Sequence, residues 1–508
     1  MTESVYLKNG GMTPVAAIPR LEYGDFGQAI VTQVQKGQAR VAAYFAVLSD
    51  EPGAVLEIFA ILARERHGDL AVFRTLVGER FESLTPNCSQ VHLFEREIAE
   101  QFGVIPEGHP WLKPVRFHRS WRPDHDAWGR DPAAHPLVGD LDFYRIDGDG
   151  VHEVAVGPVH AGVIEPGHFR FQCYGETVMH LEISLGYQHR DLERMLLGGP
   201  HPATPSQIET IGGDSTVAHM SAYSKVIEGL TGCPAPARAK AIRALGLELE
   251  RLANHVGDLG ALSGDVGFLP TASYCGRLRG DYLNMTAHLC GSRFGRGLVR
   301  PGGVLFDLQS SLSARILAAL EDCEANTIGA IRLFFDTPSV LSRLEGIGRL
   351  SRSAAEDLGL VGVAAKACGV PRDCRFFFPT GIYQQEFDEL ITDENGDVFA
   401  RARVRSREVE VSLGLVRRIL GNLPKGETMI PMGPLPPESL AVTLVEGWRG
   451  EVVHVGLTDG TGSFRRYKIV DPSFHNWSGL ALALRDQQIS DFPLCNKSFN
   501  LSYAGFDL

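Results

Sequence analysis

Apolar and polar positions follow two different periods along this chain, and the switch between them outlines its organisation. Residues 38 to 117 read as a small α/β unit. Arg40–Leu48 (RVAAYFAVL) is β-prone. Gly53–Arg66 sets Val55, Ile58, Phe59 and Leu62 on one side of a 3.6-residue period and predicts a helix. Glu95–Phe102 (EREIAEQF) predicts a second, short helix. Gly108–His135 is dense in Pro, His, Trp and Asp and has neither period, so it reads as a linker or wrapping arm. A boundary near residue 140 is expected, dividing the chain into units 1–140 and 141–508.

The second unit opens on strands. His168–Cys173 is one, and Val178–Leu185 alternates Leu181, Ile183 and Leu185 with His180, Glu182 and Ser184. Beyond residue 215 the period becomes helical. Ile242, Leu245, Leu249, Leu252, Val256 and Leu259 recur at three- and four-residue steps, the mark of a buried seam. Leu278, Tyr282, Met285 and Leu289 repeat it, and Leu308–Phe335 predicts another long helix. Val452–Leu457 and Arg465–Ile469 flank Asp459-Gly-Thr-Gly462, a hairpin signal. The expected class is α+β: a small N-terminal α/β domain, then a mainly helical core with small β-sheets.

Composition narrows the function. The chain has 508 residues, 44% apolar and 22% charged, the mix of an ordinary globular protein. A net charge of -12 argues against nucleic acid as a partner. The N-terminal residues have no signal-like apolar core. The longest apolar candidate, Ala54–Ala63, is too short to span a bilayer and carries Glu57. A cytoplasmic location is therefore expected, with any membrane association made through partners. Nine dispersed cysteines, none in a C-x-x-C pair, read as free core thiols. No Fe–S or zinc motif and no nucleotide-binding glycine fingerprint is visible, so neither a tightly bound cofactor nor direct NADH binding is expected.

Specific motifs carry further. EREIAEQFGVIPEGHP (95–110) resembles the signature of the 30-kDa subunit of complex I and its counterparts in membrane-bound hydrogenases, with Gln101 close to where an acidic residue is common. From Gly157 onward the chain resembles the 49-kDa subunit of complex I and the large subunit of nickel-iron hydrogenases of the formate hydrogenlyase type. The matching segments are GPVHAGVIEPGHFRF (157–171), GYQHRDLERM (186–195), RLANH (251–255), RPGG (300–303), GDVFARARVR (396–405), RGE (449–451) and the C-terminal stretch. The resemblance implies a fused pair of subunits with a hydrogenase-large-subunit-like core.

Hydrogenase large subunits hold nickel and iron through four cysteines, because soft thiolates stabilise those metals. Against that family pattern, Gly212 and Ser215 stand at the first two cysteine positions, followed by His219, and Ser502 and Gly505 stand at the last two. A Ni-Fe centre is therefore not expected. Complex I lost the same cysteines and uses the vacated cavity for quinone. The resemblance puts His160 at the first histidine of the quinone-site loop, with Glu165 or His168 near the second. Asp265 falls at the aspartate that pairs with that histidine. His201 falls where the family has a tyrosine that hydrogen-bonds the quinone headgroup. Each residue also has a plainer reading. His160 and Glu165 could be ordinary loop residues, Asp265 a helix cap, His201 a surface histidine, and the RPGG glycines a tight turn.

Two functions from different classes follow. The first is an oxidoreductase subunit that receives electrons from a [4Fe–4S] cluster in a 20-kDa-like small subunit and passes them to quinone or another small acceptor. The second is a non-catalytic scaffold and conformational coupler. Either way the resemblance implies a ferredoxin-like Fe–S subunit, membrane-embedded quinone-site and antiporter-like ion-pump subunits, and a peripheral place on the cytoplasmic face of the membrane. An active nickel-iron hydrogenase is the third reading, disfavoured by the missing thiols.

Overall fold

The run Leu56–Arg64 is a strand and not the helix its spacing predicts. The computed structural model describes residues 4–131, 134–160, 164–387 and 389–508. In it this strand lies between Arg40–Leu48 and Asp69–Val77, paired antiparallel to both, with Val5–Leu7 at the far edge. Residues 56 to 63 are buried on both faces of the sheet. A strand covered on both sides loses its alternation, and a continuous apolar run fits either period. The helix Tyr23–Gln35 packs on one face through Phe26, whose ring lies 5.4 Å from that of Phe73.

The other expected elements form. The helix His92–Phe102 contains the EREIAEQF motif and ends at Gly103, which has φ +67. A side chain there would also meet His125 Cβ at 2.7 Å, so glycine is required twice over. His168–Tyr174 is the central strand of a three-stranded antiparallel sheet, paired with Thr177–Ser184 on one side and Val151–Val156 on the other. The seam from Ile242 to Leu259 lies in the helix Ala237–Asp265, with every seam residue at most 1% exposed. Leu269–Cys290, Ser310–Phe335 and Val398–Gly421 surround that helix. In the RPGG turn Gly302 has φ +85 and its backbone packs on the Ile430 carbonyl. All nine cysteines are free, and all but Cys233 are buried. Among the described residues no helix is long and apolar enough to cross a membrane.

A third sheet ties the two ends of the chain together. Ser439–Glu446, Glu451–Thr458 and Phe464–Val470 form an antiparallel meander, and Met12–Pro14 adds to it as the fourth strand. Behind it lies a buried set of charges. Lys468 Nζ sits 2.7 Å from both carboxylate oxygens of Glu97 and 3.0 Å from Glu193. Arg116 also donates to Glu97, and Arg466 to Glu193 at 2.8 Å. Burial would raise the Glu193 carboxyl, but Arg466, Lys468 and Arg116 hold it well below the usual range. Glu100 of the same motif accepts the backbone N–H groups of Val115, Arg116 and Phe117 at 3.1, 2.8 and 2.7 Å. The motif's carboxylates are thus structural anchors that fix the arm after residue 112.

Removing one member of such a set leaves buried charges without a partner. Glu97→Ala is expected to lower stability by roughly 3–5 kcal/mol, read from the urea midpoint by tryptophan fluorescence. A loss under about 1 kcal/mol, the range of a surface pair, would contradict this account.

Candidate functional site

The C-terminal segment returns to the start of the helix Thr216–Thr231, and this brings Gly212, Ser215, Ser502 and Gly505 together. Ser502 caps the short helix Tyr503–Phe506, its Oγ accepting the Gly505 N–H at 2.9 Å. Its own N–H donates to Ser473 Oγ at 2.8 Å. A Cβ on Gly212 would lie 3.5 Å from Ser215 Cβ and 3.8 Å from Ser502 Oγ. A Cβ on Gly505 would press on the Asp471 carboxylate at 2.6 Å.

Arg449 spans this junction. Its guanidinium grips Asp214 with two parallel hydrogen bonds of 2.6 and 2.8 Å, the strong fork geometry of an arginine–carboxylate pair. It also donates to Ser215 Oγ at 3.2 Å and to the Asn500 carbonyl at 2.6 Å, and it stacks 3.9 Å from the Trp448 ring. Burial alone would raise the Asp214 carboxyl, but Arg449 holds it below the usual carboxylate range. Trp448 Nε1 and Asn254 Nδ2 donate to the Asp214 carbonyl at 2.9 and 3.0 Å, so the loop is fixed from one helix and a strand end.

A chain of buried polar groups leaves the junction from Asp471. His219 Nε2 is 3.1 Å from Asp471 Oδ2, His219 Nδ1 is 3.1 Å from His454 Nε2, and His454 Nδ1 is 2.9 Å from the Tyr467 hydroxyl. One tautomer set satisfies every atom: Tyr467 donates to His454, His454 to His219, and His219 to Asp471. Burial and the neighbouring His219 keep His454 neutral, well below the usual histidine range. Burial would raise Asp471, but the His219 hydrogen bond and Arg449 hold it low.

The residues singled out from the sequence divide into two groups. Glu165 reaches the junction: it accepts the Tyr503 N–H at 3.4 Å, and burial pushes its carboxyl up, opposed by Arg449 and reinforced by Asp214. His160 precedes it in the same loop, and His168 opens the strand that follows. His160 Nε2 lies 3.0 Å from the Gly167 carbonyl. His168 is buried, with Nδ1 3.1 Å from the Gly157 carbonyl, while Nε2 has no hydrogen-bond partner among the described residues. Burial lowers the His168 imidazole. The loop residues Ala161, Gly162 and Val163 lie outside the described residues. Asp265 is exposed at the C-terminal end of its helix, and no hydrogen bond or ion pair between described residues joins it to His160. His201 is also exposed, its Nε2 3.1 Å from the Leu197 carbonyl.

Several participants were not singled out. Arg449 and His219 stood inside quoted motifs, but their partners Asp214 and Asp471 lie far from them in sequence. Asp507 accepts the Gly186 and Gln188 N–H groups at 2.7 and 3.0 Å, and burial pushes it up to about 7. Nothing local in the sequence marks it.

The donor set does not fit a nickel-iron centre. Two of the four positions carry no side chain. The two hydroxyls are hard donors already engaged with Arg449 and Gly505 N–H. At Gly505, a cysteine would displace the Asp471 carboxylate. Cys495 is buried beside Arg401, with Sγ 3.9 Å from its Nη2.

Comparisons with known proteins agree with the two-part reading. A family model described as the 30 Kd subunit of respiratory-chain NADH dehydrogenase matches residues 27–142. One described as the 49 Kd subunit matches 265–435 and 428–507. Formate hydrogenlyase subunit 5 of Escherichia coli (strain K12) is 30% identical over 440 residues, covering 84% of this chain and 77% of that protein. The carbon monoxide-induced hydrogenase of Rhodospirillum rubrum is 30% identical over 352 residues, 69% of this chain and 97% of that protein. The C/D subunit of an NADH-quinone oxidoreductase from Bacteroides fragilis (strain YCH46) is 30% identical over 387 residues, 70% of this chain and 72% of that one. The chain belongs to the family of the complex I 30- and 49-kDa subunits and their formate hydrogenlyase-type hydrogenase counterparts, with both subunit types joined in one polypeptide.

Proposed function

We propose that the chain is the large, cluster-facing subunit of a complex I-like, hydrogenase-related oxidoreductase, peripheral to a membrane and without a nickel-iron site. A [4Fe–4S] cluster in a small-subunit partner would supply electrons to quinone or another small acceptor bound by the junction of Gly212, Ser215, Ser502 and Gly505. Ion-translocating membrane subunits would be the coupled partners. The observation that carries this reading is that the four positions matched to the metal-ligand motifs meet in one place that is polar and titratable but has no thiol.

Reducing a quinone-like acceptor takes two electrons and two protons. The electrons arrive from outside the chain, and the chain's own residues handle the protons. Glu165, its carboxyl raised by burial, holds a proton closer to neutrality than an ordinary glutamate does. The ordered run Tyr467–His454–His219–Asp471 offers a buried route along which protons can move. Arg449 keeps a fixed positive charge beside the place where negative charge develops. Asp265 and His201 have no role in this reading.

A non-catalytic coupler is the second reading, and one observation favours it. Lys366 lies 2.6 Å from Asp373, 2.7 Å from Glu408 and 3.1 Å from Glu446, and Glu408 lies 2.6 Å from His255. Such a buried network has discrete arrangements and can transmit a shift between partners.

Elemental analysis of the intact, membrane-extracted complex separates these readings from a hydrogenase. Iron in multiples of four with no nickel is expected, and nickel near one per chain would overturn the thiol-free assignment. Within the oxidoreductase reading, Glu165 must be protonated to act, so acceptor reduction should fall as pH rises through its raised pKa. Glu165→Gln should lower turnover by about 10²-fold and abolish that limb of the pH profile. An unchanged rate and profile would favour the coupler.

A further inference from the structure

A cavity of about 700 Å³, apart from that junction, lies where the N-terminal residues cross the helical core. Its walls are the strap Lys8–Met12, the helices Thr216–Thr231 and Ala237–Asp265, the segment Cys374–Gln384 and the strand end at Glu446. None of the residues of the junction described above lines it. Its volume is that of a pocket for a small organic molecule.

The walls are preformed. Asn9 Nδ2 donates to the Phe378 and Leu444 carbonyls at 2.8 and 2.9 Å, and its Oδ1 accepts the Leu444 N–H at 2.8 Å. Gly10 N–H donates to the Val442 carbonyl at 2.9 Å, and the Gly10 carbonyl packs directly on Gly229. The strap therefore cannot fall into the cavity without breaking four hydrogen bonds.

The lining has a definite sign. Five cationic side chains face two anionic ones, in a chain whose net charge is -12. Both carboxylates are already neutralised. Glu228 is held by Arg243 at 2.5 Å and accepts the Gly302 N–H at 3.0 Å. Glu446 is held by Lys366 and accepts the Cys374 N–H at 2.9 Å. The remaining cation of the arginine pair, Arg375, is matched by Asp373 at 2.8 Å. The three lysines have no carboxylate at ion-pair distance among the described residues, although Glu228 raises the Lys225 ammonium against its burial. Lys225 donates to Thr380 Oγ1, and Lys8 donates to the His67 and Gly68 carbonyls at 3.2 and 3.0 Å. Among the described residues, Lys8, Lys225 and Lys240 form no ion pair with a carboxylate. Phe377, Phe378, Leu247 and Ile382 supply an apolar wall beside them.

We propose that this cavity binds a small, soluble organic anion, one with a phosphate or carboxylate group attached to an apolar or aromatic body. The acid group would meet Lys225, Lys240 and Lys8, and the body would lie against the phenylalanines. Three lysines line this one concave, partly apolar space, and Lys225 among them is partly buried with a hydroxyl rather than a carboxylate as its hydrogen-bond partner, an arrangement an anion would compensate. Burial and Arg243 push the Lys225 ammonium down to about 8, and an anion arriving there would raise it again. The proposal does not depend on the redox reading, because it concerns a cavity apart from that junction.

The lowered basicity of Lys225 provides the assay. Pyridoxal 5′-phosphate is an aromatic phosphate whose aldehyde condenses with a lysine amine, losing water to form an imine that borohydride reduces to a stable secondary amine. The intact complex would be labelled, reduced and mapped by peptide mass spectrometry. Labelling of Lys225 is expected to exceed that of the exposed Lys36 and Lys425 at least tenfold. It should fall at least tenfold with pyridoxal, which lacks the phosphate, and inorganic pyrophosphate should protect it. Lys240→Met should retain Lys225 labelling by pyridoxal but lose most of the preference for the phosphate. Equal labelling by pyridoxal and its phosphate, or Lys225 labelling no greater than that of Lys36, would overturn the proposal.

Discussion

The two units of this chain are held to one arrangement by charges that have no access to water. Lys468 can remain buried only while Glu97 and Glu193 face it, and Glu97 also needs Arg116. These residues come from the motif helix His92–Phe102, the arm, the start of the second unit and the last sheet. A buried cation without its anions is costly by several kcal/mol, so the elements assemble together or not at all. The strand Met12–Pro14 in the last sheet and the Arg116 hydrogen bond to the Phe506 carbonyl at 2.8 Å follow the same logic. They carry the constraint through to the C-terminal segment, where the candidate site is completed.

The same physics holds the candidate site together. Arg449 is fixed by Asp214, Asn500 and Trp448, so its charge cannot move away when the surroundings change. Asp471 is pinned between His219 and the Ser473 N–H at 2.8 Å. Where the hydrogenase pattern calls for four thiolates, this junction presents backbone, two engaged hydroxyls and a frame of paired charges. Hard hydroxyls already engaged in hydrogen bonds are poor donors for a soft metal, and in the proposed function this frame orients a polar acceptor.

Much of the fold was readable from local pattern because the helices repeat their period over many turns. The seam from Ile242 to Leu259 and the motif helix from His92 to Phe102 needed no tertiary information. Leu56–Arg64 misled because its two covered faces removed the alternation that marks a strand. Lys468 carries no local mark: nothing in FRRYKIV shows that Glu97 and Glu193 are the partners with which it is buried.

The sequence by itself determined the family, the fused order of the two units and the absence of thiols from four motif positions, since each is written in contiguous motifs. Only the tertiary structure decided which side chains share the site. It brought Glu165 beside Tyr503 and Arg449 over Asp214, left Asp265 and His201 exposed, and linked His219 to His454. It also gathered Lys8, Lys225 and Lys240 around a separate cavity. Those meetings depend on how sheets and helices pack at long range. Charge partners chosen by packing leave no period and no spacing for a sequence to display.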